Sequence, residues 1–576
     1  MRVARDATRG AVSSTTAFDG LGCRVETATV PRSFVLLPLL CSPLVALAAP
    51  TQLIVHADQA LRGVPPQLLG ANFTSYKKSG TSVADYMPCC LGPAALLPQP
   101  IALWRTPGGI LGDFFHLNGR YDNDDLGGPP NGIDLSHFIR AAEQQHGQLL
   151  HILNINATDR ELVNQIEFLN SRPPEAPNVK WTPSSYRFDQ AAPEGYFAWL
   201  RGQQGHPRPV GVRYVEIGNE IWNKFNDTDL RCNHDAACYG IQAAALAKRL
   251  KKKDPALQVG VSVLSIGEAA NPEYRNSAVY EGFAKAGTAP DFVFDHAYYN
   301  CKYQREDAAE AAASVRFADY LEKGAIKNRA ELKAAFPDCG EQIGMFLDEF
   351  SPQACADNPD RWESFGPWET AAGAHMFAAG LHAGYTHLSY YDWNDGSDTG
   401  NAGLVSGEPG TVDANFWGLW FASKLVQGAI SEVRVEGRTD GLRVFATSSD
   451  TVLRILLINS IATGMHEVAL AVSGRETKAA RTYRMDQSYA TFAKVPKHRA
   501  SVPQTAPAAV AVDLGHILLS PLSTTLVELD LGIGAAPTAA AATTGCAKHP
   551  SAVRPLTVPD GPQPAQAPAS GEPTQL

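Results

Sequence analysis

Residues 212–220 read VRYVEIGNE and residues 343–350 read IGMFLDEF. Each is a short apolar run rich in β-branched or aromatic residues, too short for a helix, that ends in polar residues. The first closes on Gly218-Asn219-Glu220 and the second on Asp348-Glu349. Runs of this length, punctuated at both ends, read as strands buried on both faces. Six more occur, at QLLGANF (67–73), IALWR (101–105), LLHILNIN (149–156), LQVGVSVLS (257–265), DFVFDHAYY (291–299) and YTHLSYYDW (385–393). Helical patterns fall between most of them, among them DRELVNQIEFLN, CYGIQAAALAKRLKKK and WETAAGAHMFAAGLHAG. Strands alternating with helices call for a parallel sheet. Eight such units in about 360 residues predict a (β/α)8 TIM barrel over 65–428. A doubly wound sheet is the other arrangement, but no Gly-rich phosphate loop follows the first strand.

The texture changes after residue 428. VRVEGR, GLRVFATSS, TVLRILLINS, HEVALAVSG and RTYRMD are short, evenly spaced and separated by Gly, Asp and Ser, and HILLSPLSTTLVELDLG follows near 516–532. They predict a C-terminal antiparallel β-sandwich over 429–532, to which the leading segment 50–64 adds a strand. Residues 533–576 are Ala/Pro/Thr-rich, with almost no large apolar side chains, and are expected to be disordered.

Residues 1–49 read as a targeting segment. FVLLPLLCSPLVALAA (34–49) follows Arg32 and ends in small residues, as the apolar region of a signal peptide does; an N-terminal anchor is the alternative. The expectation is a secreted or periplasmic protein with no stable membrane insertion after cleavage. Ten cysteines fit an oxidising compartment. Cys232 with Cys238, and Cys301 with Cys355, could bridge, whereas Cys89, Cys90 and Cys339 have no obvious partners. No CxxC or clustered Cys/His spacing supports a zinc site. The net charge of -10, with Lys and Arg scattered, offers no basic face for nucleic acid.

In a barrel of this kind the working groups sit where strands end, at the C-terminal face. Glu220 ends the fourth strand and Glu349 the seventh, across the mouth from each other. Two carboxyl groups about 5–5.5 Å apart suit retaining cleavage of a glycosidic bond, one as nucleophile and the other alternating as acid and base. The acid is expected to stay protonated near neutral pH, which partial burial and a like-charged neighbour favour.

VEIGNE and FLDEF resemble the acid/base and nucleophile strands of clan A glycoside hydrolases. WRTPGG (104–109) is similar to the end of strand two in the α-L-arabinofuranosidases of glycoside hydrolase family 51, and NINATDRELVNQIEFLNSRPPEA (154–176) resembles that family's strand three and following helix. IVHADQALRGVPPQLLGANF (54–73) is similar to the opening shared by families 39, 51 and 79. The likeness spans roughly residues 51–530. It implies Glu220 as acid/base, Glu349 as nucleophile, Asn219 as partner of the sugar 2-hydroxyl, and Arg105 as the cation that keeps the nucleophile ionised. It implies Tyr298 as a hydrogen-bond donor to the nucleophile, with His296 on the same strand face, and Trp393 as an aromatic platform for the sugar. Asn154, at the third strand end, bonds sugar hydroxyls or caps the next helix.

Two departures bear on the choice of sugar. Phe350-Ser351-Pro352 follows the nucleophile where family 51 usually has Trp, and a Cys-flanked loop follows Glu220-Ile221-Trp222-Asn223. The expected function is retaining hydrolysis of oligo- or polysaccharides by double displacement, arabinofuranosidase-like, with carbohydrate as partner and no cofactor. A silent carbohydrate-binding barrel and a transglycosylase are the alternatives.

Overall fold

The computed structural model describes residues 50–73, 91–117, 135–175, 181–223, 231–264, 273–299, 308–352, 367–393, 403–405, 412–486 and 505–532. The targeting segment, the Ala/Pro-rich tail and the Cys301/Cys355 pair lie outside them.

Strand β1 (Thr51–Gly63) precedes a closed barrel of eight strands: β2 (Leu69–Asn72), β3 (Leu103–Thr106), β4 (Gln148–Leu153), β5 (Tyr214–Ile217), β6 (Gln258–Ser262), β7 (Phe292–Tyr298), β8 (Gly344–Ser351) and β9 (His387–Tyr390). Every neighbouring pair is parallel, and β9 closes on β2. The strands are buried on both faces, which is why they read as apolar runs and not as alternating ones. Helices such as Asp159–Asn170, Ala236–Lys253 and Pro367–Ala383 connect them. The Asp159–Asn170 helix starts at Thr158, whose hydroxyl accepts from the Glu161 amide at 3.2 Å.

Strand parity builds the barrel interior in layers. Leu103, Leu150, Phe292, Phe294 and Phe346 form a dry floor, with the Phe292 and Phe346 rings stacked at 4.0 Å. Gly260 permits this floor, because a Cβ there would lie 2.1 Å from the Phe292 ring. One pleat further along the same strands the inward positions become Arg105, Glu216, His296 and Asp348. The chemistry therefore stands directly on an aromatic plug.

The second sheet has nine strands in the order β15-β14-β17-β12-β11-β10-β1-β13-β16. Its members are β10 (Ala429–Glu436), β11 (Leu442–Ser448), β12 (Val452–Asn459), β13 (His466–Ser473), β14 (Thr477–Met485), β15 (Val510–Ala511), β16 (Ile517–Leu519) and β17 (Ser523–Leu531). It curls around its own core, which includes Leu53, Val55, Leu453, Ile455, Val527 and Leu529. All pairs but one are antiparallel. The exception is β1 against β13, a parallel pair with Thr51 opposite Val468. Arg443 on β11 reaches Asp319 of the barrel helices at 2.5 and 2.8 Å.

Candidate active site

Gly218 ends β5 with φ of 74°, and a Cβ there would meet Ile221 at 2.6 Å. This glycine turn lets the chain leave the barrel wall with Asn219 and Glu220 aimed at the mouth. The Asn219 amide donates to Asp113 at 2.8 Å, fixing the turn.

On β8 the ladder skips a residue. Asp295 pairs with Leu347, but His296 pairs with Glu349, so Asp348 is the extra residue of a bulge. Regular pleating would send Asp348 and Glu349 to opposite faces; the bulge brings both into the barrel. Six of the eight site residues expected from sequence converge here, at the ends of β3, β5, β7 and β8.

Arg105, fully buried, organises them. Its Nη1 donates to Glu349 Oε1 at 2.5 Å and Asn72 Oδ1 at 2.9 Å, and its Nη2 to Asn219 Oδ1 at 2.8 Å. Its Nε donates to Glu216 Oε2 at 2.7 Å and lies 3.0 Å from Asp348 Oδ2. The Tyr298 hydroxyl donates to Glu349 Oε2. Burial and the Glu349 charge push the Tyr298 hydroxyl well above its ordinary pKa, so it remains a donor.

His296 links the two glutamates. Its Nδ1 is 2.9 Å from Glu220 Oε1 and 3.3 Å from Glu349 Oε2, while its Nε2 is 3.4 Å from Asp348 Oδ1. Burial alone would lower the imidazole pKa. The facing Glu349 and Asp348 charges, with the hydrogen bonds to Asp348 and Glu220, raise it well above the usual value. Burial would raise the Glu220 carboxyl, but the His296 hydrogen bond and charge, the Asn223 amide at 2.9 Å and Arg105 outweigh it and hold it below the usual range. The same interactions favour an imidazolium at His296, 2.9 Å away, over a protonated Glu220 in the unliganded site.

Two expected residues are placed elsewhere. Trp393 is fully buried, edge-on to Trp104 at 5.1 Å and to Phe416 at 6.1 Å, so it packs the core and offers no face to a sugar. The ring at the mouth is Tyr391, edge-on to Tyr298 at 5.8 Å; a Cβ on Gly109 would lie 3.1 Å from its hydroxyl. Asn154 accepts from the Asn156 amide at 2.8 Å in a local turn and has no hydrogen bond or ion pair to the Arg105 cluster. Thr158, not Asn154, caps the following helix.

Sequence reasoning missed three buried members: Asn72, Glu216 and Asp348. Asn72 ties β2 to the site by donating to the carbonyls of Asp348 at 2.7 Å and Tyr390 at 3.3 Å. Glu216 shares the inward parity of Tyr214 on β5, which was a readable signal. Asp348 likewise shares the inward parity of Phe346 on β8; the bulge that turns Glu349 in beside it left no such signal.

The disulfide Cys232–Cys238 closes the short loop after Glu220, as their spacing allowed. Cys339 is also disulfide-bonded. Among the described residues, ligand atoms of Glu220, His296 and Glu349 lie within 4.8 Å of one another, the one grouping with metal-like spacing. With the Arg105 guanidinium already at 2.5 Å from Glu349, the set reads as a hydrogen-bonded acid–base cluster. Among the described residues no helix is long and apolar enough to cross a membrane.

No family model and no curated protein matches the chain by sequence. Solved structures do match. The α-L-arabinofuranosidase of Thermotoga maritima in its arabinose complex aligns at a TM-score of 0.62 and 15% identity, covering 84% of this chain and 100% of that one. The family 51 enzyme of Thermotoga petrophila gives 0.63 and 16%, covering 83% and 99%. A family 51 α-L-arabinofuranosidase from Bifidobacterium longum gives 0.64 and 14%, again covering 83% and 99%. At these identities the likeness shows the fold: a (β/α)8 barrel followed by a curled, mostly antiparallel β domain.

Proposed function

We propose that this protein is a retaining glycoside hydrolase that cleaves oligo- or polysaccharides by double displacement, with Glu220 as acid/base and Glu349 as nucleophile. The observation that carries this reading is the approach of a Glu220 carboxyl oxygen to within 4.8 Å of a Glu349 oxygen, at opposed strand ends. That spacing suits direct attack; inversion needs roughly 6.5–9.5 Å to hold a water between the carboxyls.

The Glu220–His296 pair carries one proton, and transfer along its 2.9 Å hydrogen bond makes Glu220 the acid. Glu220 then protonates the leaving oxygen as a Glu349 oxygen attacks the anomeric carbon. The C–O bond breaks and a glycosyl ester of Glu349 forms. Glu220, now a carboxylate, takes a proton from water, whose oxygen attacks the anomeric carbon and frees Glu349 with configuration retained. Arg105 and Tyr298 hold the Glu349 oxygens throughout. Tyr391 supplies the aromatic face at the mouth.

The fold likeness to α-L-arabinofuranosidases makes α-L-arabinofuranosides the first substrates to try, and the loop closed by Cys232–Cys238 sets this chain's own preference. That disulfide also supports an exported enzyme. The test is a panel of nitrophenyl glycosides and polysaccharides, with the product anomer read by NMR during turnover. A retained product supports the reading; an inverted first product, or no turnover of any glycoside, overturns it.

A further inference from the structure

Glu216 and Asp348 stand beneath the two catalytic carboxyls and take no part in the displacement. Both side chains are fully buried, and both approach the same donor, Arg105 Nε, at 2.7 and 3.0 Å. One N–H cannot satisfy two carboxylates. Glu216 Oε1 and both Asp348 oxygens lack a well-aligned donor, although Asp348 Oδ2 lies 3.0 Å from Arg105 Nε and Oδ1 lies 3.4 Å from His296 Nε2. A proton held on one of the two carboxyls supplies the donor that the other lacks.

The surrounding charges lead to the same conclusion. From β3 the pair faces Arg105, and from β7 it faces His296, whose Nε2 is 3.4 Å from Asp348. From β2 the Asn72 amide donates to the Asp348 carbonyl. From β9 it faces His387, which burial lowers to about 4 and keeps neutral. Glu349 and Glu220 complete the cluster. A dry site with one permanent cation does not hold four ionised carboxylates.

We propose that Glu216 and Asp348 form a single-proton carboxyl pair on the floor of the site, with the proton on Glu216, and that ionised Asp348 positions Arg105 and His296 against Glu349 and Glu220. Burial and the neighbouring Asp348 charge raise Glu216 well above the usual carboxyl range, while Arg105 and His296 hold Asp348 below it despite its burial. In this arrangement protonated Glu216 accepts from Arg105 Nε through one oxygen and donates to Asp348 through the other. Asp348 in turn keeps a negative charge beside His296 Nε2, which supports the proton that His296 exchanges with Glu220. The assignment of roles rests on the hydrolase reading; the shared proton does not.

The geometry separates two isosteric variants. A glutamine at 216 copies the protonated carboxyl, with an oxygen for Arg105 and an amide N–H for Asp348. E216Q should therefore restore most of the turnover that E216A loses, with both limbs of the pH profile in place. D348N removes the charge beside His296 and Arg105. It should lose about tenfold to a hundredfold in kcat/KM on aryl glycosides, as expected when a hydrogen bond to a charged partner is lost, and its alkaline limb should move to lower pH. Equal losses in E216Q and D348N would mean that both carboxyls are ionised and would overturn the pair.

Infrared difference spectroscopy tests the proton without turnover. At pH 7 the full-length E220Q protein, in which the acid/base cannot contribute, should show the C=O stretch of a protonated carboxyl that is missing from E216Q/E220Q. Absence of that band overturns the proposal whatever the enzyme hydrolyses. Presence of the band with no glycoside turned over leaves the shared proton standing and removes only the hydrolase reading.

Discussion

Two buried charge clusters, one at the barrel mouth and one on the sheet, use the same residue types in opposite proportion. At the mouth, one guanidinium serves Glu216, Asp348 and Glu349, and Glu220 joins through His296. On the sheet, one carboxylate, Glu528 of β17, receives Arg454 at 2.8 Å and Arg481 at 2.7 Å, with Lys424 at 3.7 Å. Burial would raise Glu528, but Arg454, Lys424 and Arg481 pull it below the usual carboxyl range. Both of its oxygens have well-aligned donors, whereas three oxygens of Glu216 and Asp348 have none.

The difference separates two uses of buried charge. The Glu528 cluster is compensated and has no need of a proton, as befits a group that holds a sheet together. The Arg105 cluster carries excess acid and must keep protons that it can move. Perturbed, under-compensated carboxyls concentrate where chemistry is done.

The sharpest way to break this comparison is to remove acid from the mouth. E349A should lower turnover by about 10⁴-fold or more. Azide entering the vacated space should restore reaction, with an azide product of inverted configuration. E220A should still form the ester from activated aryl glycosides, and azide should then give a retained glycosyl azide. The same anomer from both mutants would refute the assignment of roles. The charge-neutral E349Q should keep its thermal midpoint, since Asp348 still compensates Arg105; a drop as large as that of a sheet mutant would erase the contrast.

A second prediction concerns where the acid proton is stored. His296 binds its proton more tightly than a free imidazole, so the pair stays loaded below that raised value and empties as pH rises through it. The alkaline limb of kcat/KM in wild type should therefore lie above the ordinary imidazole value of about 6.5. In H296Q the proton must sit on Glu220 itself, and the alkaline limb should move down. An unmoved limb would make His296 a packing residue.

Much of this site was legible because apolar strands ended in polar residues. Gly218-Asn219-Glu220 and Asp348-Glu349 stood out as polar strand ends, whereas Arg105, His296 and Tyr298 were picked out of their strands by the resemblance to clan A glycoside hydrolases. What escaped notice depended on register. Glu349 faces inward beside Asp348 only because of a bulge on β8. Trp393 and Tyr391 lie two residues apart beyond β9, where strand parity no longer says which ring meets the mouth. The parallel pairing of β1 with β13 joins segments more than 400 residues apart, and no local pattern carries that information.

On the sheet, E528Q should leave turnover in place and lower stability by about 1.5–3 kcal/mol, the range for hydrogen bonds to charged partners. The sign with pH follows from the depressed Glu528 value. Its stabilisation is complete above the ordinary carboxyl value of 4.5 and is lost as pH falls through the lower folded value. Wild type should therefore lose thermal midpoint on acidification below about pH 4.5 more steeply than E528Q. Parallel curves for the two proteins would show that Glu528 is not the titrating group.

The smallest effect lies within the sheet cluster itself. Arg481 also pairs with Asp530 at 3.1 Å, but the Asp530 side chain is 39% exposed, against 4% for Glu528. Water and salt screen the exposed pair, and two flexible side chains lose entropy in making it. D530N should therefore shift stability by less than about 1 kcal/mol, and the shift should vanish in molar salt, where the screening length falls to about 3 Å. E528Q should keep most of its effect in the same salt, because the Glu528 carboxylate is itself buried. If the two mutants respond alike in size and in salt, burial is not what distinguishes a structural carboxylate here. The stability contrast between sheet and mouth would then have to rest on the count of cations alone.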